Sequence, residues 1–292
     1  MMNKKIQINT AYLYILPAFL IMGGIIVYPV IELIIGSFMT VTGGKEVFAA
    51  LRNYRLAFKD PLLWTALQNN LKLFLCVPVM TVLSLVIAVI LFNRIAGWRF
   101  YRSIIFLPFI LAIPVVGIIF TYILQMNGVL NTTLRNLGLD MLAIDWLGSP
   151  TLALPSVGAV IIWKQLGFGV VLFLARLMSI DISLYEAAEV DGATWLQKFF
   201  QVTVPQAAAV IEFYVIISLI DMLSWVFSFI FVMTAGGPGN RTTVLEFLIY
   251  KKSFGGGDFN IAMAISAVVL VMATILIIIH QSLLGRREEM SE

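Results

Sequence analysis

Six long apolar segments limit what this chain can fold into more than any other feature of its sequence. They run approximately over residues 12–38, 68–92, 103–125, 154–177, 208–234 and 260–283. As helices that rise about 1.5 Å per residue, all six are long enough to cross about 30 Å of hydrocarbon. Because lipid offers the backbone no hydrogen-bond partners, the pattern predicts an all-α integral membrane protein with six transmembrane helices.

The composition agrees with a membrane protein. The 292 residues are 61% apolar and 12% charged, whereas soluble domains carry about 25% charged residues. The net charge of +3 argues against a nucleic-acid surface, and the single cysteine, Cys76, argues against a disulfide or a cysteine-based metal site. We predict one membrane domain over residues 1–292. Its first apolar segment is a retained span, because it exceeds a signal-peptide core of about 7–15 residues.

Three of the connections between the segments have a predicted character. Residues 39–67 form either an amphipathic segment at the membrane interface or a solvated loop. The connection over 126–153 is rich in turn residues and contains a small helix near residues 130–137. The connection over 235–259 opens with a Gly-Pro run that must be a loop.

The stretch from Ser183 to Pro205 is predicted to form two short helices joined by a tight turn. Ser183 and Glu186 are three residues apart, as a capping box at a helix start requires, and Thr194 and Gln197 repeat that spacing. An Asp-Gly pair between the two boxes is a turn signal. Pro205 either ends the second helix or opens the next one.

The same stretch carries a resemblance to a known family. The order is Glu186-Ala187-Ala188, three further residues, Gly192, nine further residues, and a segment that closes on Pro205. This pattern resembles the EAA loop in the membrane subunits of bacterial ABC importers. In that family the loop is cytoplasmic, and its helix docks in a cleft of the ATP-hydrolysing subunit. The alternative interpretation is an ordinary cytosolic helical hairpin in which Glu186 only caps a helix.

The resemblance implies a fold, a mechanism and a set of coupling residues. The fold would be that of a type I ABC importer permease, with residues 183–205 as a cytoplasmic helix-turn-helix coupling loop. The residues that would couple the chain to the ATPase are Glu186, Ala187, Ala188, Asp191, Gly192 and Pro205. Small side chains let two surfaces approach closely, and capped helices make the loop a stiff lever.

The resemblance extends over nearly the whole chain and implies its partners. Residues 233–254, which contain a Gly-Gly-Pro run, are similar to the loop after the fifth span of the maltose-type first membrane subunit. The implied partners are a second, unlike permease, two copies of an ABC ATPase, an extracytoplasmic solute-binding protein, the lipid bilayer and a sugar substrate. Maltose itself does not follow, because this chain lacks the additional N-terminal spans and the large inserted domain of that subunit.

The resemblance also implies a location and a division of labour. The chain would be a multi-pass protein of the bacterial plasma membrane with both termini in the cytoplasm. Counting Lys and Arg on the two sides gives a tie, so charge alone does not decide the orientation. The chain would perform no chemistry and bind no cofactor, with ATP and Mg held by the partner ATPase. The sequence agrees in part, because it contains no Walker A motif.

Two charged residues lie near the middle of predicted spans. Lys164 is in the fourth span and Asp221 in the fifth. A charge in hydrocarbon costs at least about 2.5–3.5 kcal/mol, so each of them needs a partner or a wet cavity. Two hypotheses follow: the residues form an ion pair between the spans, or they line a sugar site at the membrane midplane. We favour the pair, because buried ions usually need each other.

The candidate substrate pathway also includes hydroxyl groups and aromatic rings, which suit a sugar. The full set is Lys164, Tyr214, Asp221, Ser224, Trp225, Phe227 and Ser228. Packing inside the protein is the alternative role for each aromatic residue. Ser228 stands where an Asp is common in the family.

The function predicted from these observations is that of a permease subunit of an ATP-driven sugar importer, with an oligosaccharide as cargo. A polyol or glycerol phosphate is the alternative cargo for the same kind of permease. An ion-coupled secondary carrier would need ionisable relays in several spans and usually an internal repeat, and only Asp221 is available. A membrane-embedded enzyme is not indicated, because the sequence has no His-Glu-x-x-His motif and no nucleophile elbow.

Overall fold

The described part of the chain is almost entirely helical. The computed structural model describes the backbone of residues 3–256 and 258–291, and the side chains of residues 12–256, 258–279 and 281. The helices are α1 (Asn3–Met22), α2 (Tyr28–Ser37), α3 (Arg52–Lys59), α4 (Pro61–Phe74), α5 (Cys76–Phe92), α6 (Trp98–Ile110), α7 (Ile113–Leu124), α8 (Val129–Asn136), α9 (Ala153–Leu177), α10 (Ile182–Val190), α11 (Trp195–Lys198), α12 (Val204–Ser224), α13 (Phe227–Met233), α14 (Leu245–Phe254) and α15 (Phe259–Ser291). Two π-helical turns, Gly23–Val27 and Phe199–Thr203, join α1 to α2 and α11 to α12. Strands β1 (Met39–Thr42) and β2 (Lys45–Phe48) form an antiparallel pair.

The prediction of an all-α fold with six membrane spans is confirmed. Six helical stretches in the described residues are long and apolar enough to cross a membrane: Tyr12–Ser37, Pro61–Phe92, Ile113–Asn136, Ala153–Leu177, Trp195–Ser224 and Phe259–Ile279. The fourth stretch begins one residue before the predicted span over 154–177 and ends at the same residue. The third begins ten residues later than predicted, because the helix of that region is interrupted.

Two of the predicted spans contain breaks with non-helical backbone, which the sequence analysis missed. Residues 103–125 do not form one helix, because Leu111 and Ala112 have extended backbone between α6 and α7. Pro114 explains this break: it has no N–H to donate to Ile110, and its ring would clash with that carbonyl in a continuous helix. Residues 208–234 are likewise interrupted between the end of α12 and the start of α13.

The chain divides into two compact units. Unit 1 contains residues 1–61 and 249–271, and unit 2 contains residues 62–248 and 272–292. The prediction of a single domain over the whole chain stays a prediction.

Unit 1 contains the β-hairpin, which the sequence analysis did not predict. Its two-residue turn consists of Gly43 and Gly44, whose φ angles of 60° and 77° suit the turn type that joins twisted strands. Buried Asn53 in α3 donates its side-chain amide to the carbonyls of Ser37 and Met39, at 2.8 Å and 2.7 Å. The connection over 39–67 is therefore ordered and tied to the end of α2.

Unit 2 is built around α9, which packs against α5, α6 and α12. Its buried face carries Val157, Val170 and Phe173, all 0% exposed. Gly167 lets α6 approach closely, because a Cβ at this position would lie 2.9 Å from the Cα of Phe106. Close backbone approach at small residues is the usual packing of membrane helices.

The predicted Gly-Pro loop after α13 is present and is held by two asparagines of α4. Asn69 donates its amide to the carbonyls of Arg241 and Thr243, at 2.9 Å and 2.8 Å. Asn70 donates to the carbonyl of Met222 and accepts from the N–H of Leu245, both at 2.9 Å. Irregular backbone inside a membrane protein is tolerated only where its polar groups are satisfied. Asn69 satisfies two carbonyl groups of the loop, and Asn70 binds one backbone group near the end of α12 and one at the start of α14.

The predicted small helix in the connection over 126–153 is also present, as α8. Asn131 in α8 is 0% exposed and donates to the carbonyl of Ile144 at 2.7 Å, while the indole N–H of Trp146 donates to its side-chain oxygen at 2.9 Å. The connection is therefore an ordered cap rather than a loose loop.

Candidate functional site

The first candidate site is the coupling hairpin, which we define as residues 181–205. Its first helix, α10, begins at Ile182 because the Asp181 carboxylate accepts a hydrogen bond from the N–H of Ser183, at 3.0 Å. This bond lowers the pKa of Asp181. The predicted capping box of Ser183 and Glu186 was therefore wrong: Asp181 provides the cap, and Ser183 already lies in the first turn of the helix.

The turn and the second cap of the hairpin follow the sequence signals. Gly192 has a φ of 76°, which favours glycine, and the N–H of Ala193 donates to the carbonyl of Ala188 at 2.9 Å. Thr194 and Gln197 form the predicted capping box, in which the backbone N–H of Thr194 donates to the Gln197 side chain at 2.7 Å. The prediction of a helix, a tight turn and a second capped helix is confirmed.

Side-chain contacts make the hairpin stiff. Lys198 forms a salt bridge with Glu189 at 2.6 Å, which links α11 to α10. The hydroxyl groups of Tyr185 and Thr203 lie 3.2 Å apart, and the Tyr185 ring packs against Phe92 at the end of α5 with ring centroids 5.7 Å apart. The hydroxyl contact lies within the hairpin, and the ring contact attaches the hairpin to α5.

The second helix of the hairpin continues into the fifth span without a break. The π-helical turn joins α11 to α12, where the N–H of Val204 donates to the carbonyl of Phe199. Pro205 lies in the first turn of α12. Of the two predicted roles, it therefore opens α12 and does not end the second helix of the hairpin. Movement of the hairpin would therefore pass directly into α12.

The first helix of the hairpin exposes apolar side chains. Val190 is 89% exposed, Ile182 63% and Leu184 42%. None of the three lies in a candidate membrane span. Exposed apolar residues outside the membrane spans can mark a surface that another protein covers.

The second candidate site is a cavity of about 410 Å³ within unit 2, which we name the span cavity. It is lined by Phe109, Leu111, Ala112, Ile113, Ile161, Lys164, Gln165, Asp221, Met222, Trp225, Val226 and Phe229. Both helix breaks therefore line the same cavity. Interrupted membrane helices that meet at a cavity are a recurring way to build binding sites in transporters.

The two charged residues of the span cavity do not form the predicted ion pair. The ammonium group of Lys164 donates to the carbonyl of Phe109 at 3.0 Å and lies 5.3 Å from the centre of that ring. The amide of Gln165 lies 3.4 Å from the carboxylate of Asp221. The favoured hypothesis was wrong because the break after α6 frees a backbone carbonyl that Lys164 can reach.

Gln165 adds an unused acceptor to the span cavity. Its side-chain oxygen is buried and has no hydrogen-bond partner among the residues that the structure describes. A buried acceptor without a donor is costly, so a hydroxyl group brought in by a ligand would improve the site.

Only some of the predicted substrate residues meet in the span cavity. Lys164, Asp221 and Trp225 line it together. Tyr214 is 1% exposed and packs against Phe173, with ring centroids 5.2 Å apart. The remaining candidates, Ser224, Phe227 and Ser228, are not part of its lining. The assignment of all these residues to a substrate pathway stays a prediction.

Sequence analysis missed Phe109 as a cavity residue and Gln165 as the contact of Asp221. The signal for Phe109 was present, because Pro108 and Pro114 flank it and point to an interrupted helix. No short-range signal pointed to Gln165, because its partner Asp221 is 56 residues away along the chain.

Glu246 is a further residue that the sequence analysis did not assign to a site. Its carboxylate accepts a hydrogen bond from the N–H of Phe227, at 2.6 Å, where α13 begins. Burial raises the pKa of Glu246 to about 7, against the opposing effect of hydrogen bonds from Phe227 and Val226.

Raising the pH from about 4.5 to about 7 should lower the free energy of unfolding of this chain. In this window the folded chain holds a proton on Glu246 that the unfolded chain has released, because the pKa is raised from 4.5 to about 7 on folding. The expected loss is about 3 kcal/mol across the window. Unfolding of the detergent-solubilised chain at several pH values measures it. Glu246→Gln should remove this part of the pH dependence, and an identical pH dependence in that variant would contradict the assignment.

Comparison with known proteins identifies the family. The family model of binding-protein-dependent transport system inner membrane components matches residues 47–289. The chain is 32% identical over 280 residues to the lactose transport system permease protein LacF of Rhizobium radiobacter, which spans 94% of this chain and 93% of that relative. It is 33% identical over 283 residues to the trehalose/maltose transport system permease protein MalF of Thermococcus litoralis, which spans 95% and 94%.

A solved structure has the same fold. A chain of a bacterial ABC transporter involved in the import of the acidic polysaccharide alginate superposes with a TM-score of 0.83 at 25% identity, over 95% of both chains. The predicted importer-permease fold is confirmed by this match. Taken with the family model, it shows that the chain belongs to the family of inner membrane components of binding-protein-dependent transport systems.

Proposed function

We propose that this chain is the permease subunit of an ATP-driven importer of oligosaccharides. One observation carries the proposal: a hairpin with exposed apolar residues on its first helix continues through its second helix, without a helix break, into the span that lines an intramembrane cavity. This arrangement can pass a movement from a cytoplasmic partner to a cargo site. The chain itself performs no catalysis and binds no cofactor in this proposal. ATP and Mg belong to the partner ATPase.

The chemistry of the span cavity supports a saccharide. Sugar hydroxyl groups need both donors and acceptors, and Lys164, Gln165 and Asp221 offer them. The ring of Trp225, which is 62% exposed, offers a face on which a sugar ring can stack. A volume of about 410 Å³ lies within the range of small-molecule sites, about 300–1,000 Å³. Relatives named for lactose, trehalose/maltose and arabinooligosaccharides support an oligosaccharide.

The proposed assembly follows the family. The chain pairs with a second, unlike permease, and two copies of an ABC ATPase bind the cytoplasmic hairpins. Glu186, Ala187, Ala188, Asp191, Gly192 and Pro205 lie in the hairpin and are proposed to serve the coupling. An extracytoplasmic solute-binding protein delivers the cargo on the opposite side of the bacterial plasma membrane. Both termini then lie in the cytoplasm, on the same side as the hairpin.

Uptake by the complete transporter tests the proposal. The chain is co-purified with its partner subunits, reconstituted in proteoliposomes and supplied with its binding protein. Labelled lactose, maltose, trehalose and arabino-oligosaccharides are compared with mannitol and glycerol 3-phosphate. We expect uptake of an oligosaccharide. This uptake should require ATP on the side of the membrane that holds the ATPase. Uptake of mannitol or glycerol 3-phosphate alone would overturn the cargo class, and uptake driven only by an ion gradient would overturn the importer.

Neutralising both charged residues of the span cavity together should not restore the uptake that each single substitution reduces. Because Lys164 and Asp221 have different partners, 3.0 Å and 3.4 Å away, Lys164→Gln and Asp221→Asn should each reduce uptake. The double variant should be no better than the worse single variant, since neither charge was neutralising the other. Initial uptake rates measure this. Recovery of the double variant towards the wild-type rate would mean that the two residues pair in the working transporter.

A further inference from the structure

The break in the fifth span is held by two side chains from outside that span. Glu246 accepts a hydrogen bond from the N–H of Phe227 at 2.6 Å. Asn70 donates to the carbonyl of Met222 and accepts from the N–H of Leu245, both at 2.9 Å. Asn70 therefore connects the end of α12 to the start of α14, and Glu246 connects α14 to the start of α13. We name these three hydrogen bonds the latch.

The latch replaces the hydrogen bonds that the break removes. Met222 is close to the end of α12 and Phe227 is the first residue of α13, so their polar groups lose partners where the helix stops. Water cannot substitute easily, because Asn70, Met222 and Leu245 are each 1% exposed. The latch therefore satisfies buried groups that would otherwise have no partner.

Nothing in the local sequence forces this break. Residues 206–234 contain neither proline nor glycine, so the segment could continue as one helix. The first break has Pro114, whereas residues 206–234 offer the second break no such local cause. Its shape therefore depends on side chains that arrive from α4 and α14.

The break and the latch lie directly at the wall of the span cavity. Met222, Trp225, Val226 and Phe229 line the cavity, and three of the four flank the bond to Phe227 within two residues. A continuous helix would rotate these side chains to new directions. The latch thus decides which residues face the cavity.

We propose that Glu246 and Asn70 are positioning residues that hold the break in the shape required to retain cargo in the span cavity. The retention of cargo rests on the proposed function, while the shape of the break does not. Without the latch, ATP hydrolysis by the partner ATPase should continue, but the span cavity should release its cargo before transport. The expected defect is therefore loss of coupling and not loss of assembly.

One isosteric variant and one apolar variant of comparable size separate the hydrogen bond from packing. Glu246→Gln keeps a side-chain oxygen that can accept from Phe227, whereas Glu246→Leu keeps the volume and removes the acceptor. Glu246→Asp shortens the side chain by one methylene and should give an intermediate result, which remains informative if the Leu variant assembles poorly. Glu46→Leu is the matched control, because Glu46 is exposed in β2.

The shape of the break is tested by a distance measurement that needs no transport. Spin labels replace Phe213 and Phe231, which are 45% and 46% exposed on the two sides of the break. Eighteen residues of continuous helix would separate them by about 27 Å, and a bent segment is shorter. In the complete transporter, wild type and Glu246→Gln should share one narrow distance distribution, and Glu246→Leu should add a longer population. An unchanged distribution in Glu246→Leu would overturn the latch.

The consequence for transport is tested by the ratio of uptake to ATP hydrolysis. With labelled lactose or maltose as cargo, uptake by Glu246→Leu should fall at least tenfold while ATP hydrolysis stays within about twofold of wild type. Glu246→Gln should restore the wild-type ratio, which a purely structural defect would not do. Parallel loss of uptake and hydrolysis would overturn the positioning role. If wild type transports neither sugar, the proposed cargo fails, while the distance measurement still decides the latch.

Discussion

Val190→Glu should abolish ATP-driven uptake while the chain still inserts in the membrane. Val190 is 89% exposed at the end of α10, so the substitution disturbs nothing inside the folded chain. In the assembled transporter the same position would be covered by the ATPase, and an unpaired buried charge is strongly unfavourable at an interface. We expect uptake to fall more than tenfold. The measurement is the amount of ATPase that co-purifies with the chain, together with the uptake rate.

The hairpin of unit 1 offers the matched control. Val41 is 60% exposed and lies in β1, so Val41→Glu makes the same chemical change on another exposed surface. It should leave co-purification and uptake near the wild-type level. Retention of the ATPase by Val190→Glu, at wild-type amounts, would show that the exposed face of α10 is not the coupling surface.

Gly167→Ala should destabilise the folded chain by about 3 kcal/mol, at the upper end of the range for overpacking. A Cβ at this position would meet backbone atoms of α6, including the Cα of Phe106 at 2.9 Å. Backbone cannot rotate away as a side chain can, so α6 and α9 must separate. The measurement is the unfolding midpoint of the detergent-solubilised chain and the fraction that elutes as a single species.

A second glycine controls for helix propensity. Gly24 lies in the π-helical turn of the first span, and a Cβ there would meet nothing within 4 Å. Gly24→Ala should therefore leave the unfolding midpoint unchanged or raise it slightly. Equal midpoints for Gly167→Ala and wild type would mean that α6 and α9 are not in close contact.

The coupling hairpin could be predicted largely from sequence because its signals are short-range. Thr194 and Gln197 are three residues apart, and their mutual hydrogen bonds require nothing from elsewhere in the chain. Asp181 and Ser183 show the limit of such signals. Both are good capping residues, and spacing alone could not rank them. The structure favours the carboxylate, which the N–H of Ser183 reaches at 3.0 Å.

Three lining residues of the span cavity, Lys164, Asp221 and Trp225, were candidates from sequence, but their partners could not be predicted because these contacts are long-range. Lys164 binds a carbonyl 55 residues away, and that carbonyl is free only because the helix breaks beyond it. Proline signals that break, but the break in the fifth span has no local signal. Its carboxylate cap comes from Glu246, 19 residues beyond the N–H that it accepts. Sequence periodicity places residues along a helix, whereas these contacts depend on how separate helices meet.

The π-helical turn at Phe199–Thr203 changes the angle about the helix axis between the side chains of α11 and those of α12. Such a turn accommodates one residue more than an α-helix in the same length, and one residue corresponds to about 100° of rotation about a helix axis. The side chains of α11 and the cavity-lining side chains of α12 therefore have an angular offset that an uninterrupted α-helix would not give them. In the proposed transporter, a movement of the hairpin would therefore reach α12 in a direction that this change in helical winding sets.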